Sequence, residues 1–335
     1  MGYSFSKSEG FSEGNTKQKR FYIKNFLSKK IILILFSSLL LYFMLKDVQF
    51  SEIIFSIKTA NLTLLFIAFS LHAIGLTISA FRWKLLLKSL NVNSNIFYLI
   101  KSYLVATFFN HFIPSTIGGD SVRAYDSYKL GKNKSKGLVV IMIDRFLGLL
   151  ALLVFVVFST FLSIEISSLI PDLTLWLAFF SLAAIGVLIF LLWPPVKTFY
   201  KLSYSSNKIL SKIGTLFLKI GNSFAQFSNK KKVLIKALGL SLLLQANVVF
   251  YYYLISVALG FDIHIFNFSL IIPLTIFIMM IPISVNGIGL RENVLFFFFS
   301  FFGIAKTQAI AFAWIEFGML LLLGIIGGIV YAFRK

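Results

Sequence analysis

Two matching segments decide the predicted architecture of this chain. Residues 113–123 read IPSTIGGDSVR, and residues 281–291 read IPISVNGIGLR. Each contains a proline, then glycines, then an arginine nine residues after the proline, and each lies in strongly apolar sequence. Helix-breaking residues and a charge at corresponding places in two apolar halves indicate a transport site built from broken membrane helices.

Composition places the chain among membrane proteins. Hydrophobic residues make up 58% of the 335 residues and charged residues only 13%, and the mean hydropathy is +0.89. This apolar content exceeds that of ordinary soluble domains and is typical of a polytopic membrane protein. The chain has no cysteine and three histidines. We therefore expect no disulfide, no metal site and no cofactor.

The net charge of +20 does not indicate nucleic-acid binding, because the lysines lie in segments that flank apolar runs. Residues 1–29 are polar and basic. We predict that they form a disordered cytoplasmic tail, since the basic region is too long for a cleaved signal peptide. The membrane domain is predicted to follow, over residues 30–333.

The apolar runs predict six full spans, at about 31–45, 62–81, 137–162, 173–193, 233–259 and 308–333. The positive-inside rule places both termini and the lysine-rich loop 194–232 in the cytoplasm. A single crossing by residues 96–113 would leave the lysines of residues 129–136 outside, so residues 96–128 are predicted to form a re-entrant hairpin. A second hairpin, over 269–302, is predicted to enter from the opposite side. The predicted fold is an all-α polytopic membrane protein with two broken-helix hairpins.

The two halves are predicted to be inverted repeats, one over about 31–162 and the other over about 173–333. Their spans and prolines are offset by about 170 residues, and a carboxylate is offset with them. Asp144 and Glu316 each lie roughly 10–12 Å into a span, from opposite leaflets. The alternative is chance repetition of Ile-Pro and arginine in a very apolar chain.

The hairpin turns supply the candidate binding groups. Pro114 and Pro282 end helices, and the glycines after them (Gly118, Gly119, Gly287 and Gly289) allow sharp turns. A helix that restarts inside the bilayer points unpaired N–H groups and a positive dipole at the cavity. An arginine in its first turn suits a phosphate oxygen. The predicted ligand is therefore the anionic head group of a phospholipid or polyprenyl phosphate, bound by Asn110, Gly118, Gly119, Asp120, Arg123, Asp144, Arg145, Arg291, Glu292 and Glu316.

Structural roles for the same charges stay open at this point. Arg123 could pair with Asp126 or Asp144, and Arg291 with Glu292 or Glu316, while Arg145 could reach towards the cytoplasmic surface. Asp144 and Arg145 are adjacent, about 100° apart around a helix, so we expect them to face different partners. Asn110 and Asn286 are expected to satisfy backbone groups freed by the helix breaks.

The cytoplasmic loop carries a separate pattern. Apolar residues recur at helical spacing between lysines, namely Ile209, Leu210, Ile213, Leu216, Phe217, Ile220, Phe224 and Phe227 with Lys208, Lys212 and Lys219. This pattern predicts a basic amphipathic helix on the inner membrane surface, attracted to anionic lipid. A solvated cytosolic hairpin is the alternative.

Three motifs together resemble a known family. They are Asn-x-x-x-Pro followed by Gly-Gly-Asp-x-x-Arg (Asn110 to Arg123), the pair Asp144-Arg145, and Pro-x-Ser-x-x-Gly-x-Gly-x-Arg-Glu (Pro282 to Glu292). They are similar to the lysylphosphatidylglycerol synthase transmembrane family, which includes the flippase domain of the multiple peptide resistance factor and stand-alone relatives. The resemblance covers residues from about 30 to the end.

This resemblance implies a multi-pass protein of the prokaryotic cytoplasmic membrane that moves a lipid between leaflets. Full-length synthases carry a soluble aminoacyl-transfer domain after the membrane part, whereas this chain stops at Lys335. We therefore expect a transporter and not an enzyme. A membrane enzyme acting on polyprenyl phosphate or phospholipid is one alternative, and an accessory scaffold for a partner synthase is another. Homo-oligomerisation is left open.

Overall fold

A computed structural model describes residues 50–112, 118–162, 173–205, 207–227, 229–281, 283–284 and 286–334, together with Leu39 and Tyr42. Several predicted features lie outside the described residues. They are the tail 1–29, the first span 31–45 apart from Leu39 and Tyr42, and the two prolines Pro114 and Pro282. Within the described ranges the chain is all-α, with twelve helices and no strand.

The helices, in chain order, are α1 Phe50–Thr59, α2 Leu62–Ser89, α3 Ile96–Phe112, α4 Gly118–Gly131, α5 Lys134–Leu162, α6 Leu173–Leu192, α7 Val196–Ser203, α8 Lys208–Ala225, α9 Lys231–Ala258, α10 Ile265–Met279, α11 Leu290–Ser300 and α12 Lys306–Ala332.

Five helices are long and apolar enough to cross a membrane: α2, α5, α6, α9 and α12. Each has at least 20 residues, so at 1.5 Å per residue each reaches the roughly 30 Å of a hydrocarbon core. They coincide with five of the six predicted spans. The prediction of an all-α polytopic membrane protein is confirmed.

Two helix boundaries differ from the prediction. Helix α2 continues to Ser89, so Arg82 lies inside a helix and not in the loop after a span. Residues 46–61, predicted as a loop, contain helix α1. Asn61 separates α1 from α2, because its side-chain oxygen accepts from the N–H groups of Thr63 (3.0 Å) and Leu64 (3.2 Å) and so caps the start of α2.

Both predicted hairpins appear as pairs of packed short helices. Hairpin one is formed by α3 and α4, and hairpin two by α10 and α11. With 17 residues in α3 and 15 in α10, the first arms are about 25 and 22 Å long, short of a full crossing. Helix α11 begins after Gly289, whose φ of 78° suits glycine.

Several helices of one predicted half pack on helices of the other half. The second predicted spans of the halves, α2 and α9, pack on each other, and the first arm of each hairpin packs on the last span of the other half: α3 on α12, and α10 on α5. This exchange is the packing that the predicted two-fold relation between the halves would give. The α3–α12 contact is close, because a Cβ added at Gly327 would overlap the Leu104 carbonyl.

The lysine-rich loop folds into α7 and α8, which pack against each other. Asn207 caps α8 by accepting from the N–H group of Ile209 (2.9 Å). Phe224 and Phe227, at the end of the amphipathic pattern, are fully buried against the membrane helices, whereas Ile209 is exposed. One end of the amphipathic segment is therefore anchored in the bundle.

Candidate functional site

The first group of charges, the Asp144 cluster, consists of Arg82, Arg123 and Asp144 and joins three helices. Arg82 on α2 donates from Nε to Asp144 Oδ1 (2.6 Å), and Arg123 on α4 donates from Nη2 to Asp144 Oδ2 (2.8 Å). Tyr103 on α3 adds its hydroxyl to the same Oδ2 (3.3 Å). All three charged residues are buried, and Arg123 is only 5% exposed. Two arginines thus share one carboxylate.

The first turns of α4 set the position of Arg123. Asn110 Oδ1 accepts the N–H group of Gly119 (2.8 Å), which satisfies one donor of the new helix end. A Cβ at Gly119 would lie 2.6 Å from the Ala106 carbonyl oxygen and from Asn110 Oδ1, so the position requires glycine. The Arg123 guanidinium lies over the ring of Tyr103, 4.3 Å from its centroid.

Arg145 lies apart from the Asp144 cluster. It donates to Asp120 Oδ2 from Nη2 (2.7 Å) and Nε (2.8 Å), and its side chain is 56% exposed. Asp120 also lies 3.6 Å from Arg123 Nη1. Asp144 and Arg145 therefore face different partners, as their spacing on the helix predicts.

A further ion pair joins hairpin one to the end of the described chain. Arg334, which follows α12, forms an ion pair with the buried Asp126 of α4: its Nη1 donates to Oδ2 (2.8 Å), and its Nη2 lies 2.7 Å from Oδ1 without forming a hydrogen bond. Tyr98 donates to Asp126 Oδ1 (3.1 Å), and Ser102 donates to Oδ2. Burial lowers the pKa of Arg334, but the hydrogen bond and charge of Asp126 outweigh it, so the pKa is raised overall.

The second group of charges, the Glu316 cluster, consists of Arg291, Glu292 and Glu316 in hairpin two and α12. Arg291 pairs with Glu316 through Nη1, and the two residues are 2% and 1% exposed. The guanidinium lies over the Phe317 ring, 4.8 Å from its centroid. Among the described residues, Arg291 Nε, Arg291 Nη2 and Glu292 Oε2 have no hydrogen-bond partner. Here one arginine pairs with one carboxylate, and the charge of a second carboxylate, Glu292, lies close by.

The turns of the two hairpins touch each other. Asn286, in the turn of hairpin two, donates from Nδ2 to the carbonyl oxygen of His111 at the end of α3 (3.0 Å). Asn286 and Gly287 have φ of 53° and 76°, so two successive left-handed residues turn the chain here. The expected role of Asn110 and Asn286 in satisfying backbone groups is confirmed.

Two cavities of the bundle, one beside hairpin one and one away from both hairpins, differ in charge. The cavity beside hairpin one, about 430 Å³, is lined by Val105, Phe109, Gly118, Ser121, Val122, Tyr125, Asp126, Lys129, Tyr331 and Arg334. The other cavity, about 620 Å³, is lined by Ser51, Glu52, Phe55, Ser56, Thr59, Leu259, Phe261, Ala305, Thr307 and Gln308. The hairpin-one cavity holds two cations and one carboxylate, whereas the other holds a single carboxylate.

A family model described as the lysylphosphatidylglycerol synthase TM region matches residues 30–328. The chain belongs to this family. A UPF0104 membrane protein of Methanocaldococcus jannaschii is 26% identical to it over 304 residues, which cover 85% of this chain and 88% of the relative. A UPF0104 membrane protein of Methanothermobacter thermautotrophicus is 22% identical over 314 residues, covering 86% and 90%.

The ten candidate residues of this lysylphosphatidylglycerol synthase TM region lie in two groups, one in and beside each hairpin. Seven lie together at hairpin one: Asn110, Gly118, Gly119, Asp120, Arg123, Asp144 and Arg145. Three lie at hairpin two: Arg291, Glu292 and Glu316. Of the alternatives left open, Arg123 pairs with Asp144 and not Asp126, and Arg291 pairs with Glu316. Among the described residues, no three His, Asp or Glu side chains come together as metal ligands.

Two charged residues of this family member were not among the candidates. The predicted spans 62–81 and 308–333 end directly before Arg82 and Arg334, which makes both arginines flanking charges in that prediction, yet each pairs with a buried aspartate. The apolar run Leu85–Leu87, which continues after Arg82, is a signal that the helix extends beyond it. No local pattern marks Arg334, because its partner is 208 residues away in sequence.

Proposed function

We propose that this protein moves an anionic phospholipid or a lipid-linked phosphate between the leaflets of the membrane and catalyses no chemical step. The observation that carries the proposal is a pair of buried arginines, one in each hairpin, with unused donors. Arg123 has a free Nε, and Arg291 has a free Nε and Nη2, with no partner among the described residues.

Such donors favour an anionic ligand. A buried N–H group without a partner costs about 1–3 kcal/mol, so an acceptor that reaches it is bound favourably. A phosphate offers several oxygens, and a pair of them can accept the parallel N–H groups of a planar guanidinium. Arg123 and Arg291 could each donate a hydrogen bond to one phosphate oxygen while keeping the ion pair with Asp144 or Glu316.

The hairpin arrangement supports movement of the ligand and not only binding. The two arginines belong to hairpins whose turns are joined by the Asn286–His111 hydrogen bond, so a shift of one turn acts directly on the other. Broken helices that meet near the middle of a two-fold related bundle are the usual basis of alternating access. The exchange of packing partners between the halves agrees with this arrangement.

We place the protein in the cytoplasmic membrane with both termini in the cytoplasm. The support is the distribution of lysine, because residues 194–236 contain nine lysines and no acidic residue. The proposed partners are the anionic lipids of that membrane.

The test is transport in vesicles. The purified chain is reconstituted with phosphatidylglycerol that carries a fluorescent label, and dithionite is added to reduce the label in the outer leaflet. The wild-type protein should expose the inner-leaflet label over time. Arg123→Gln should slow this by about tenfold or more, because a hydrogen bond to a charged group is lost. Arg291→Lys should do the same, since it keeps a cation beside Glu316 but removes the spare donors.

The matched control is Lys88→Gln, which removes an exposed positive charge at the end of α2 and touches neither cluster. It should transport as the wild type does. Wild-type vesicles that match protein-free vesicles would contradict the proposal and favour a scaffold. Full transport by both arginine variants would remove the clusters from the transport path.

A further inference from the structure

The 430 Å³ cavity between hairpin one and α12 has the features of a site for a phosphate-bearing lipid head group. Its volume lies within the usual range of about 300–1,000 Å³ for ligand sites. Its wall combines three charged residues, Asp126, Lys129 and Arg334, with apolar side chains such as Val105 and Phe109.

The charges of the cavity favour an anion. Arg334 donates from Nη1 to Asp126, whereas its Nη2, although 2.7 Å from Asp126 Oδ1, has no hydrogen-bond partner among the described residues, and a phosphate oxygen suits such a donor. Lys129 has no carboxylate within ion-pair distance among the described residues, and its ammonium lies 5.1 Å from the centroid of the Tyr125 ring. The cavity wall therefore carries one positive charge more than its aspartate neutralises.

The surroundings favour a lipid over a free anion. The cavity lies between two packed membrane elements, and Tyr125, on its wall, is 57% exposed on the outer surface of the bundle. A lipid could place its phosphate at Lys129 and Arg334 while its glycerol and acyl chains follow the apolar side. The positive-inside rule places this end of the bundle in the cytoplasmic leaflet, because Arg334 follows the last span.

We propose that this cavity binds the phosphate of an anionic lipid from the cytoplasmic leaflet, with Lys129 and Arg334 as the cationic groups. When the phosphate arrives, Arg334 divides its donors between the phosphate and Asp126, which weakens the link between the end of α12 and hairpin one. Arg334 lies beyond the residues 30–328 that the family model matches. If the protein transports lipid as proposed, this cavity would be where the lipid enters from the cytoplasmic leaflet, and that role rests on the proposed function. The binding of an anionic head group rests only on the residues that line the cavity.

The experiment measures lipid retention by the full chain, purified in detergent, with native mass spectrometry. Phosphatidylglycerol and phosphatidylcholine with the same acyl chains are offered together, and inorganic phosphate is added in a separate arm. The wild type should retain phosphatidylglycerol in preference. Lys129→Gln should reduce that preference by about tenfold, since it removes one charge-assisted contact. Lys129 holds no ion pair in this structure, so the variant should fold normally.

Lys132→Gln is the matched control, because Lys132 is exposed, lies three residues further along the chain, directly after α4, and does not line the cavity. It should keep the wild-type preference. An unchanged preference in Lys129→Gln overturns the site, and so does displacement of the lipid by millimolar inorganic phosphate, which would indicate a free-anion site. Loss of preference in Lys129→Gln supports the site even where vesicles show no transport, so failure of binding and failure of transport are distinguishable.

Discussion

The Asp144 cluster and the Glu316 cluster come from the same sequence pattern but have opposite charge balance. In the Asp144 cluster two arginines, Arg82 and Arg123, hold one carboxylate. In the Glu316 cluster one arginine, Arg291, serves Glu316 and lies beside Glu292. The first cluster therefore carries a formal excess of one positive charge and the second an excess of one negative charge.

The two buried carboxylates therefore differ in how many cationic partners they keep when one arginine is removed. Asp144 keeps a charged partner when either of its arginines is lost, and Tyr103 donates to it as well. Glu316 has a single ion-pair partner among the described residues. Because a buried charge without its partner is far more costly than the pair, the two clusters should respond differently to the same substitution.

The largest expected effect is that of Arg291→Ala. This change leaves Glu316, which is 1% exposed, without its cation, and we expect a loss of about 3–5 kcal/mol in the free energy of unfolding. Arg123→Ala should cost clearly less, since Arg82 remains on Asp144. Thermal unfolding of the two purified variants, followed by tryptophan fluorescence in detergent, measures the difference.

The control for this comparison is the double variant Arg291→Gln with Glu316→Gln. It removes both charges and keeps groups that can form hydrogen bonds, so it should recover much of the stability lost in Arg291→Ala. Equal stability of Arg291→Ala and Arg123→Ala would show that the second arginine on Asp144 gives no protection.

A smaller effect is expected where hairpin one packs on the other half. Gly327→Ala would place a Cβ against the carbonyl of Leu104 and force α3 and α12 apart. Such overpacking costs about 1–3 kcal/mol. Gly318→Ala, on the same helix, meets nothing within 4 Å and is the matched control. Thermal unfolding should separate the two, and equal midpoints would mean that the contact of hairpin one with α12 is loose.

The sequence predicts the parts of this fold that depend on local pattern. Long apolar runs marked the spans α2, α5, α6, α9 and α12, because their signal lies in consecutive residues. The Gly-rich turns marked the place where α4 restarts, and the shared depth of Asp144 and Glu316 marked both carboxylates. Asn110 and Asn286 were assigned to the helix breaks, and both bond to backbone groups there.

The parts that sequence reasoning missed depend on tertiary contacts. Arg82 meets Asp144 across 62 residues of sequence, and Arg334 meets Asp126 across 208. The positive-inside rule counts an arginine near a span end as facing water, so it assigns Arg82 and Arg334 to the cytoplasm without asking what they contact. The choice between Asp126 and Asp144 as partner of Arg123 could not be made from spacing, because Asp126 lies three residues further along the same helix, whereas Asp144 lies on the next helix and reaches Arg123 only through tertiary packing.

The smallest expected effect is that of Arg145→Ala, in the same hairpin region as the Asp144 cluster. Arg145 pairs with Asp120 at 2.7 Å, but the Arg145 side chain is 56% exposed and that of Asp120 23%, so removing the arginine does not leave a fully buried charge. We expect a change of less than about 1 kcal/mol in the free energy of unfolding. Asp144→Asn, one residue earlier, should cost several times more, since it leaves Arg82 and Arg123 buried beside a neutral amide. Thermal unfolding of the two adjacent variants therefore compares an exposed with a buried ion pair at neighbouring positions of one helix. Similar unfolding midpoints would show that burial does not make the ion pairs of Asp144 more important for stability than the exposed Arg145–Asp120 pair.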